Sequence, residues 1–246
     1  MIRSICNNDK INALNPFGIR IKALHNAYAD TGICSFYIDT DSSCLMAQSG
    51  NTLIIDGEAL PDNQLLYSFC RMVGADTLLC SGELKHSFNN AVQGKILKYI
   101  GKNAAVNNDN TVVINSNLRD IYPLLNNNFE GMAAQASFDE FYVDISHRVR
   151  HGCACASIVY NKDGKPVSCA VAPFVCNDGA VISAVCTDNN SRGKGYASQA
   201  VSALLRHLQD CRIDEMYLQT EDDSLLDFYY PLGFNVSGVW QEIRFY

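Results

Sequence analysis

The stretch Arg192-Gly193-Lys194-Gly195-Tyr196-Ala197 lies between a run of residues typical of a strand and a run typical of a helix. Apolar and β-branched residues fill positions 180–187, which predicts a buried strand. Apolar residues then recur at helical spacing between Ala197 and Leu208. We therefore predict a glycine loop that ends a strand and begins a helix.

A loop in this position can bind an anion. Free backbone N–H groups and the positive end of the helix dipole both favour a phosphate or pyrophosphate. Gly193 and Gly195 let the backbone approach an anion closely because neither has a Cβ. Arg192 and Lys194 add positive charge that suits a polyphosphate. Taken alone, the Gly-x-Gly pattern is equally compatible with a loop that binds nothing.

The composition is that of an ordinary globular protein of 246 residues, with 48% hydrophobic and 18% charged residues. The net charge of -7 argues against nucleic-acid or membrane binding driven by overall charge. No apolar run approaches the length of about 18 residues that a transmembrane helix needs. Residues 1–10 lack the apolar core of a signal peptide, so we expect a cytoplasmic protein.

The 11 cysteines form no Cys-x-x-Cys pair and no Cys/His spacing typical of zinc. Most lie within apolar runs, where a thiol behaves as a small hydrophobic group. Their odd number and the absence of an export signal favour reduced thiols over disulfides. We therefore predict no metal site.

The order of elements predicts an α/β protein with a mixed sheet and two domains, 1–105 and 106–246, joined by an Asn-rich linker at 101–110. Asp178-Gly179 indicates a hairpin in the second domain. The predicted elements there are a strand at 111–115, helices at 118–125 and 138–149, strands at 153–160, 166–176 and 180–187, a helix from 197, a strand at 216–219, a helix at 224–230 and strands within 234–246.

The first hundred residues repeat a β-β-β-α-β order. The predicted elements are strands at 34–39, 44–48 and 52–56, a helix at 61–73 that Gly74 caps, and a strand at 77–80. The corresponding strand–helix junction, 57–61, has no glycine pair and carries an acid. If the two halves are copies, the second half alone kept a phosphate loop.

From Thr111 onward the chain resembles the GNAT family of N-acetyltransferases. The most specific family motif, Arg/Gln-x-x-Gly-x-Gly/Ala, matches 192–197. A second motif, Asn-x-x-Ala-x-x-x-Tyr followed by Gly-Phe, matches 222–229 and 233–234 in part, with Asp222 in place of Asn and Leu225 in place of Ala. A dinucleotide-binding loop is excluded, because it would follow the first strand of a βαβ unit.

This resemblance implies a GNAT fold for 106–246, a degenerate GNAT-like copy for 1–105, and acetyl-CoA as the acyl donor. Backbone groups of Val185 and Thr187 would pair with the pantetheine arm, and a backbone N–H near Val185 would hold the developing oxyanion. The pyrophosphate would lie on the loop and helix N-terminus. The residues implied for acetyl-CoA are Val185, Cys186, Thr187, Arg192, Gly193, Lys194, Gly195, Tyr196, Ala197, Ser198 and Asp222.

The resemblance also implies the chemistry, in which a neutral primary amine attacks the thioester directly in a ternary complex. Tyr229 matches the tyrosine acid of the family, although packing of its short helix would equally explain it. The base is not identified by the sequence. Asp144, His147 and His151 are candidates, surface or capping roles are alternatives for each, and a chain of water molecules would also serve. Cys186 is expected to pack inward rather than form an acyl-cysteine.

The acceptor, a small-molecule or peptide amine, is expected between the helices of 118–149 and the neighbouring strands. Its suggested lining is Tyr142, Asp144, His147, Arg148 and Arg150, unless these residues form the solvated face of an amphipathic helix. A homodimer is common in the family. The missing base and Asp222 leave a second interpretation open, in which the protein is an acyl-CoA-binding sensor or scaffold without turnover.

Overall fold

The structure is a computed structural model that describes residues 1–6, 9–13, 15–57, 60–82, 91–101, 110–129, 132 and 136–245. The strands are β1 (Ile2–Ser4), β2 (Cys34–Asp39), β3 (Leu45–Ser49), β4 (Thr52–Asp56), β5 (Thr77–Ser81), β6 (Ala91–Tyr99), β7 (Thr111–Ile114), β8 (Cys155–Tyr160), β9 (Pro166–Ala172), β10 (Phe174–Cys176), β11 (Gly179–Ile182), β12 (Val185–Thr187), β13 (Met216–Thr220) and β14 (Phe234–Arg244). The α-helices are α1 (Pro16–Tyr28), α2 (Asn63–Val73), α3 (Ile121–Asn126), α4 (Phe138–Arg150), α5 (Tyr196–Asp210) and α6 (Leu226–Tyr229). Among these residues, none of the helices combines the length and the apolar character needed to cross a membrane.

The strands form a ten-stranded sheet and a four-stranded sheet, so the predicted mixed α/β class is confirmed. The order in the large sheet is β1-β2-β3-β4-β5-β14-β6-β13-β11-β10, and the order in the small sheet is β12-β9-β8-β7. Helix α5 packs against both sheets through buried leucines and valines of one face, and α1 packs on the opposite face of the large sheet. Helices α3 and α4 cover the outer face of the small sheet.

The meander predicted at 153–187 is confirmed, but two of its strands break and change sheets. The second breaks at Pro173, between β9 and β10. The third breaks at Ser183 and Ala184: β11 lies in the large sheet, parallel to β13, whereas β12 lies in the small sheet, antiparallel to β9. A gap therefore opens between β12 and the end of β13.

The first half repeats the strand order without this gap. Strand β4 stays in the large sheet, with β3 on one side and β5 on the other, and its pairs with β5 run in parallel from Thr52↔Thr77 to Ile55↔Cys80. Gly74 caps α2 in the left-handed conformation, with φ of 75°, as predicted. The predicted junction 57–61 includes residues 58 and 59, which lie outside the described residues. The repeated order thus produces two similar halves. Within the residues that the structure describes, only the second half has the split strand.

The two halves exchange their last strands. Strand β6 follows the first half in sequence, yet it pairs with β13 and β14 of the second half. Strand β14 pairs in turn with β5 of the first half. The local order β4-β5-β14-β6-β13-β11 is therefore symmetric about the β14–β6 pair. Backbone hydrogen bonds make one sheet of both halves, and neither exchanged strand is left as an edge.

Strands β1 and β6 and helix α1 are absent from the sequence-based prediction. Helix α1 is buried on several sides, with Phe17, Ile19, Ile21 and Leu24 all at 2% exposure or less. A helix that is apolar around its circumference lacks the one-sided pattern by which surface helices are recognised. The predicted linker at 101–110 and the boundary between residues 105 and 106 fall on 102–109, which lie outside the described residues.

The close approach of β6 to its neighbours can be tested at Gly94. A Cβ on this residue would lie 2.4 Å from the Thr220 carbonyl oxygen and 2.6 Å from Trp240 Nε1. We expect Gly94→Ala to lower the free energy of unfolding by about 2 kcal/mol, because backbone and indole must both move. Urea denaturation measures this change. In the matched control, Gly238→Ala, the nearest atom is Ile96 Cδ1 at 3.7 Å. The control should change stability by about 0.5 kcal/mol at most, and equal losses in the two variants would contradict the close approach.

Candidate functional site

A cavity of about 600 Å³ occupies the gap between β12, the glycine loop and α6. Its lining residues are Asn128, Phe129, Val185, Cys186, Thr187, Ser191, Arg192, Gly193, Gly195, Tyr196, Ala197, Ser198, Leu225, Phe228 and Tyr229. The structure thus brings together the predicted strand, loop and tyrosine, which are spread over more than forty positions of the sequence. Lys194 and Asp222 are not among the lining residues.

The edge of β12 presents backbone groups to the cavity. β12 is an outer strand of its sheet, with β9 on one side. The Ala184 carbonyl accepts from Val171 N (3.2 Å), and Asp188 N donates to the Val167 carbonyl (2.8 Å). Because alternate residues of an antiparallel strand bond to opposite sides, the backbone groups of Val185 and Thr187 point away from β9. An extended ligand in the gap could pair with them as an added strand does.

The loop after β12 ends in the amides of a helix N-terminus. Gly193 and Gly195 have φ of 75° and 77°, in the left-handed region that favours glycine. The first intrahelical hydrogen bond runs from Gln199 N to the Gly195 carbonyl (3.1 Å). The amides of residues 196–198 precede it, and no side chain caps this helix. These three N–H groups and the helix dipole suit an anion.

The two basic residues of the loop have different positions. Arg192 spans the mouth of the cavity: its Nη2 donates to Asn128 Oδ1 (2.8 Å) and its Nε to the Thr187 carbonyl (3.4 Å). Lys194 Nζ donates to the Asn190 carbonyl (3.1 Å) and lies outside the lining. The partners of both side chains are neutral oxygens, so the loop keeps two positive charges. Of the two residues, Arg192 alone borders the cavity.

Tyr229 closes the cavity from the side of α6. The residue is buried at 7% exposure, and its ring contacts Phe228 and Phe234 edge-on. Burial raises the pKa of the Tyr229 phenol to about 12. No described residue hydrogen-bonds to its hydroxyl, so the proton is available to a ligand. A buried phenol of this kind remains protonated throughout the neutral pH range and can donate a hydrogen bond or a proton.

Cys186 lines the cavity and packs inward against Cys169, as predicted. The register pairs the two residues directly across β12 and β9, and their Sγ atoms are 3.4 Å apart. The neighbouring Cys186 thiol and burial together raise the pKa of Cys169. The structure describes all 11 cysteines and none forms a disulfide; Cys6 and Cys211 are the exposed ones.

Asp222 lies on the turn before α6, outside the cavity. Its side chain accepts a hydrogen bond from Ser224 N (2.8 Å), which lowers the carboxyl pKa. Its backbone is held by the Thr220 hydroxyl, which donates to the Asp222 carbonyl (3.1 Å). In this structure Asp222 orders the turn that carries Tyr229. A direct contact of Asp222 with a ligand stays a prediction.

The charged set predicted on α4 lies mainly against α1. Arg148 forms an ion pair with Asp144 (2.7 Å) and lies over the ring of Tyr28, whose hydroxyl also donates to Asp144. His147 stacks on Tyr28, and His147 Nε2 lies 3.0 Å from the Ala27 carbonyl oxygen. These side chains join the two halves of the protein instead of lining the cavity.

The other predicted candidates on or after α4 are also outside the cavity. Tyr142 lies beneath the guanidinium of Arg119, 4.8 Å from ring centroid to Cζ, and Arg150 is exposed. His151 Nδ1 lies 2.8 Å from the His147 carbonyl oxygen at the end of the helix. Within the described lining there is no Asp, Glu or His, so the cavity provides no side chain with the usual properties of a general base. In the described ranges, no group of three or more His, Cys, Asp or Glu is arranged to hold a metal ion.

Sequence reasoning missed part of the cavity wall, namely Asn128, Phe129, Ser191, Leu225 and Phe228. Asn128 and Phe129 follow the end of α3, far from the loop in sequence, and no local pattern marks them. Leu225 and Phe228 lie within 222–229, the segment that matches the second family motif. Their closeness to Tyr229 in sequence was the signal that could have identified them.

Most of the C-terminal half is similar to a known protein family. Residues 118–234 match the family model described as "Acetyltransferase (GNAT) family". This segment includes the glycine loop, the split strand and Tyr229. No curated protein matches the sequence.

Solved structures resemble the whole chain in fold. A "tandem GNAT protein from the clavulanic acid biosynthesis pathway" has 11% identity and a TM-score of 0.57, over 99% of this chain and 98% of that chain. A GNAT-family acetyltransferase from Colwellia psychrerythraea has 12% identity and a TM-score of 0.57, over 100% of both chains. A GCN5-related N-acetyltransferase from Sphaerobacter thermophilus has 14% identity and a TM-score of 0.56, over 99% and 95%. At such identities the likeness shows the fold alone, which is that of two GNAT-like halves.

The raised pKa of Tyr229 predicts a change in stability at alkaline pH. In the unfolded chain the phenol titrates near its ordinary value of 10.0, whereas in the folded protein it titrates near 12. The added stability is present below pH 10 and is lost as the pH rises toward 12, because the unfolded chain then releases a proton that the folded protein retains. By pH 11.5 we expect the wild type to have lost roughly 2 kcal/mol more stability than Tyr229→Phe, at about 1.4 kcal/mol per pKa unit.

Urea denaturation at intervals from pH 8 to pH 11.5 measures this difference. Tyr230→Phe is the matched control, because Tyr230 is the exposed neighbour in the chain. The control should follow the wild-type curve. A Tyr229→Phe curve parallel to that of the wild type would show that burial does not hold the phenol protonated.

Proposed function

Since residues 118–234 match the GNAT acetyltransferase family model, we propose that the protein transfers an acetyl group from acetyl-CoA to a primary amine by direct attack in a ternary complex. The observation that carries this proposal is the single cavity in which an unpaired strand edge, a helix N-terminus and a buried tyrosine meet. Each of these three features suits a different part of the donor.

The donor would lie along the gap between β12 and β13. Its pyrophosphate would accept hydrogen bonds from the amides of residues 193–198, where the glycines leave room for close approach. Its pantetheine amides would pair with the outward backbone groups of Val185 and Thr187. The thioester would then reach the split at residues 183–184. Arg192, at the cavity mouth, would offset the negative charge of the phosphates.

In the reaction the amine nitrogen forms a bond to the thioester carbon, and the carbon–sulfur bond breaks. The N–H of Val185 would stabilise the negative charge that develops on the carbonyl oxygen. Tyr229 would donate a hydrogen bond and then its proton to the leaving sulfur, and solvent would restore the proton to the phenol. The proton lost by the attacking amine would pass to water, because the described cavity lining has no acidic or histidine side chain.

One observation favours a second candidate function. The described cavity lining lacks a basic catalytic group, and an acyl-CoA sensor or scaffold without turnover would need none. The Tyr229 hydroxyl favours the enzyme, because Tyr229 borders the cavity and its hydroxyl could donate to a leaving group there. Measurements of CoA binding and of thiol release separate these functions.

Binding of CoA is tested at the glycine loop. At a hundred times its Kd, CoA should stabilise the protein by roughly 2.7 kcal/mol, which raises the melting temperature by about 5–10 °C. We expect Gly195→Ala to abolish most of this shift, because a Cβ would strain the left-handed turn and obstruct the phosphate. Differential scanning fluorimetry with and without CoA provides the measurement.

Gly164→Ala is the matched control for that variant. Gly164 has φ of 74°, and a Cβ there also meets nothing within 4 Å, but the residue lies in the β8–β9 hairpin away from the cavity. Both variants should lose similar intrinsic stability, whereas Gly164→Ala should keep the CoA shift. Absence of a shift in the wild-type protein with CoA or acetyl-CoA would refute the proposed function.

The role of Tyr229 as the acid is tested by turnover. We expect Tyr229→Phe to lower kcat for thiol release by about 100-fold while the thermal shift with CoA is unchanged, because the hydroxyl acts on the leaving group. Tyr230→Phe should turn over at the wild-type rate. Thiol release by Tyr229→Phe at the wild-type rate would remove this role, and a CoA shift without thiol release across a broad amine panel would favour the sensor.

A further inference from the structure

A second polar cluster lies on the face of the large sheet opposite α5, at the point where the strand splits. It consists of Arg20 on α1, Phe174 on β10, Gln219 on β13, Trp240 on β14 and the exposed Ser183 at the break itself. Side chains alternate along a strand, and the residues that share a face with this set pack against α1. We call these five residues the α1-face cluster.

Contacts join Arg20, Gln219 and Phe174 of the α1-face cluster. Arg20 Nη2 donates to Gln219 Oε1, across 199 positions of sequence, and the Arg20 guanidinium lies over the Phe174 ring, 4.8 Å from its centroid. The Trp240 side chain lies on β14 and reaches across β6 toward β13. It can do so because Gly94 of β6 has no side chain between the indole and β13. The Trp240 nitrogen therefore points into the same part of the sheet as the end of β13.

Three nitrogen donors in this cluster have no partner. Arg20 Nε, Gln219 Nε2 and Trp240 Nε1 are all shielded from solvent, and none forms a hydrogen bond in the structure. Unpaired buried donors are uncommon and destabilising in folded proteins, and a bound acceptor such as an ion or a substrate group is one explanation for them. Since all three atoms donate and none accepts, the ligand that satisfies them must be rich in acceptor oxygens.

Arg20 also has no counter-ion among the described residues. The nearby acids are already engaged, because Asp144 pairs with Arg148 (2.7 Å) and Asp178 pairs with Lys22 (2.6 Å). Arg148 places a second guanidinium over the same Phe174 ring, 5.4 Å from the centroid. Burial and the positive charge of Arg148 lower the pKa of Arg20 to about 10. A buried cation without a partner is costly, and an anionic ligand would offset that cost.

The location of the cluster links it to the proposed reaction. Gln219 follows Leu218, whose pairing with Ile182 is the last contact between β13 and β11 before the split. Ser183 is exposed at this point, so the sheet is open to solvent there. The glycine loop and α5 lie on the other face, so a donor that enters along the gap would meet a second substrate from the side of Arg20.

We propose that the acceptor is an amine that also carries a carboxylate, such as a free amino acid, and that Arg20, Gln219 and Trp240 bind this carboxylate while the amine faces the split. This inference rests on the proposed function, because it assigns the acceptor of the same reaction. Arg20 would supply the charge, and the amide and indole N–H groups would complete the hydrogen bonds to the two oxygens.

The test compares amino acids with their decarboxylated amines. Phenylalanine and phenethylamine, tyrosine and tyramine, and histidine and histamine differ in the carboxylate alone. Thiol release from acetyl-CoA should show a KM about 10- to 100-fold lower for the accepted amino acid than for its amine, as expected for a charged hydrogen-bonded contact. Equal KM values within every pair that turns over would overturn the inference.

Variants assign the effect to Arg20. Arg20→Met should raise the KM of the amino acid to that of the amine and leave the amine unchanged. Lys22→Met is the matched control, since Lys22 is a cation on the same helix that already has a partner. The control should keep the preference for the carboxylate. A preference that survives in Arg20→Met would exclude Arg20 as the carboxylate ligand.

Two binding measurements keep the outcome interpretable. In the presence of CoA, the amino acids at 10 mM, but not their amines, should raise the melting temperature of the wild type and not that of Arg20→Met. Unliganded Arg20→Met should be at least as stable as the wild type, because it removes an uncompensated buried charge; a clear loss would mark Arg20 as structural. Failure of CoA itself to bind would refute the proposed function, whereas CoA binding with no carboxylate effect would refute this inference alone.

Discussion

The hydrogen bonding at Ser183 and Ala184, where one strand passes from the large sheet to the small one, determines the shape of the molecule around its cavity. Val171 holds both residues of the break, because its carbonyl accepts from Ser183 N (2.8 Å) and its N–H donates to the Ala184 carbonyl (3.2 Å). At the break, the backbone groups that face β9 are therefore hydrogen-bonded. On the opposite edge, the outward backbone groups of β12 face the gap and pair with no described strand. An extended ligand could pair with this edge as an added strand does.

The same constraint explains why the second half depends on the first. After Leu218, β13 has lost its neighbour β11, yet Gln219 and Thr220 still pair with Ile96 and Lys95 of β6. The exchanged strand thus keeps β13 straight along one wall of the gap. The first half contributes α1 as well, and with it Arg20. In the first half the corresponding strand β4 is unbroken and stays paired with β5 from Thr52↔Thr77 to Ile55↔Cys80, so along these residues no gap like that between β12 and β13 opens.

Local signals were sufficient for the elements of the second half. Asp178-Gly179 fixed the hairpin, the glycines fixed the start of α5, and the Tyr229 motif fixed the short helix, because each depends on neighbours in sequence. The arrangement of α4 could not be predicted in this way. Its charges were compatible with a cleft or a solvated face, but their partner is Tyr28, 116 positions from Asp144. Helix α1 and strand β6 were missed for related reasons, since one is apolar on several sides and the other is defined by pairing across the exchange.

The burial that keeps Tyr229 protonated also limits what the residue can do in the proposed reaction. A phenol with a pKa of about 12 would be a poor acid toward a thiolate whose ordinary pKa is near 8.5, since a mismatch of roughly 3–4 units costs about 5 kcal/mol. Desolvation, however, disfavours every anion in the cavity, and the thiolate would leave between the same aromatic side chains, Phe228 and Tyr229. Its pKa would rise together with that of the phenol, which narrows the mismatch. The apolar wall therefore raises the pKa values of both partners of the proton transfer in the same direction.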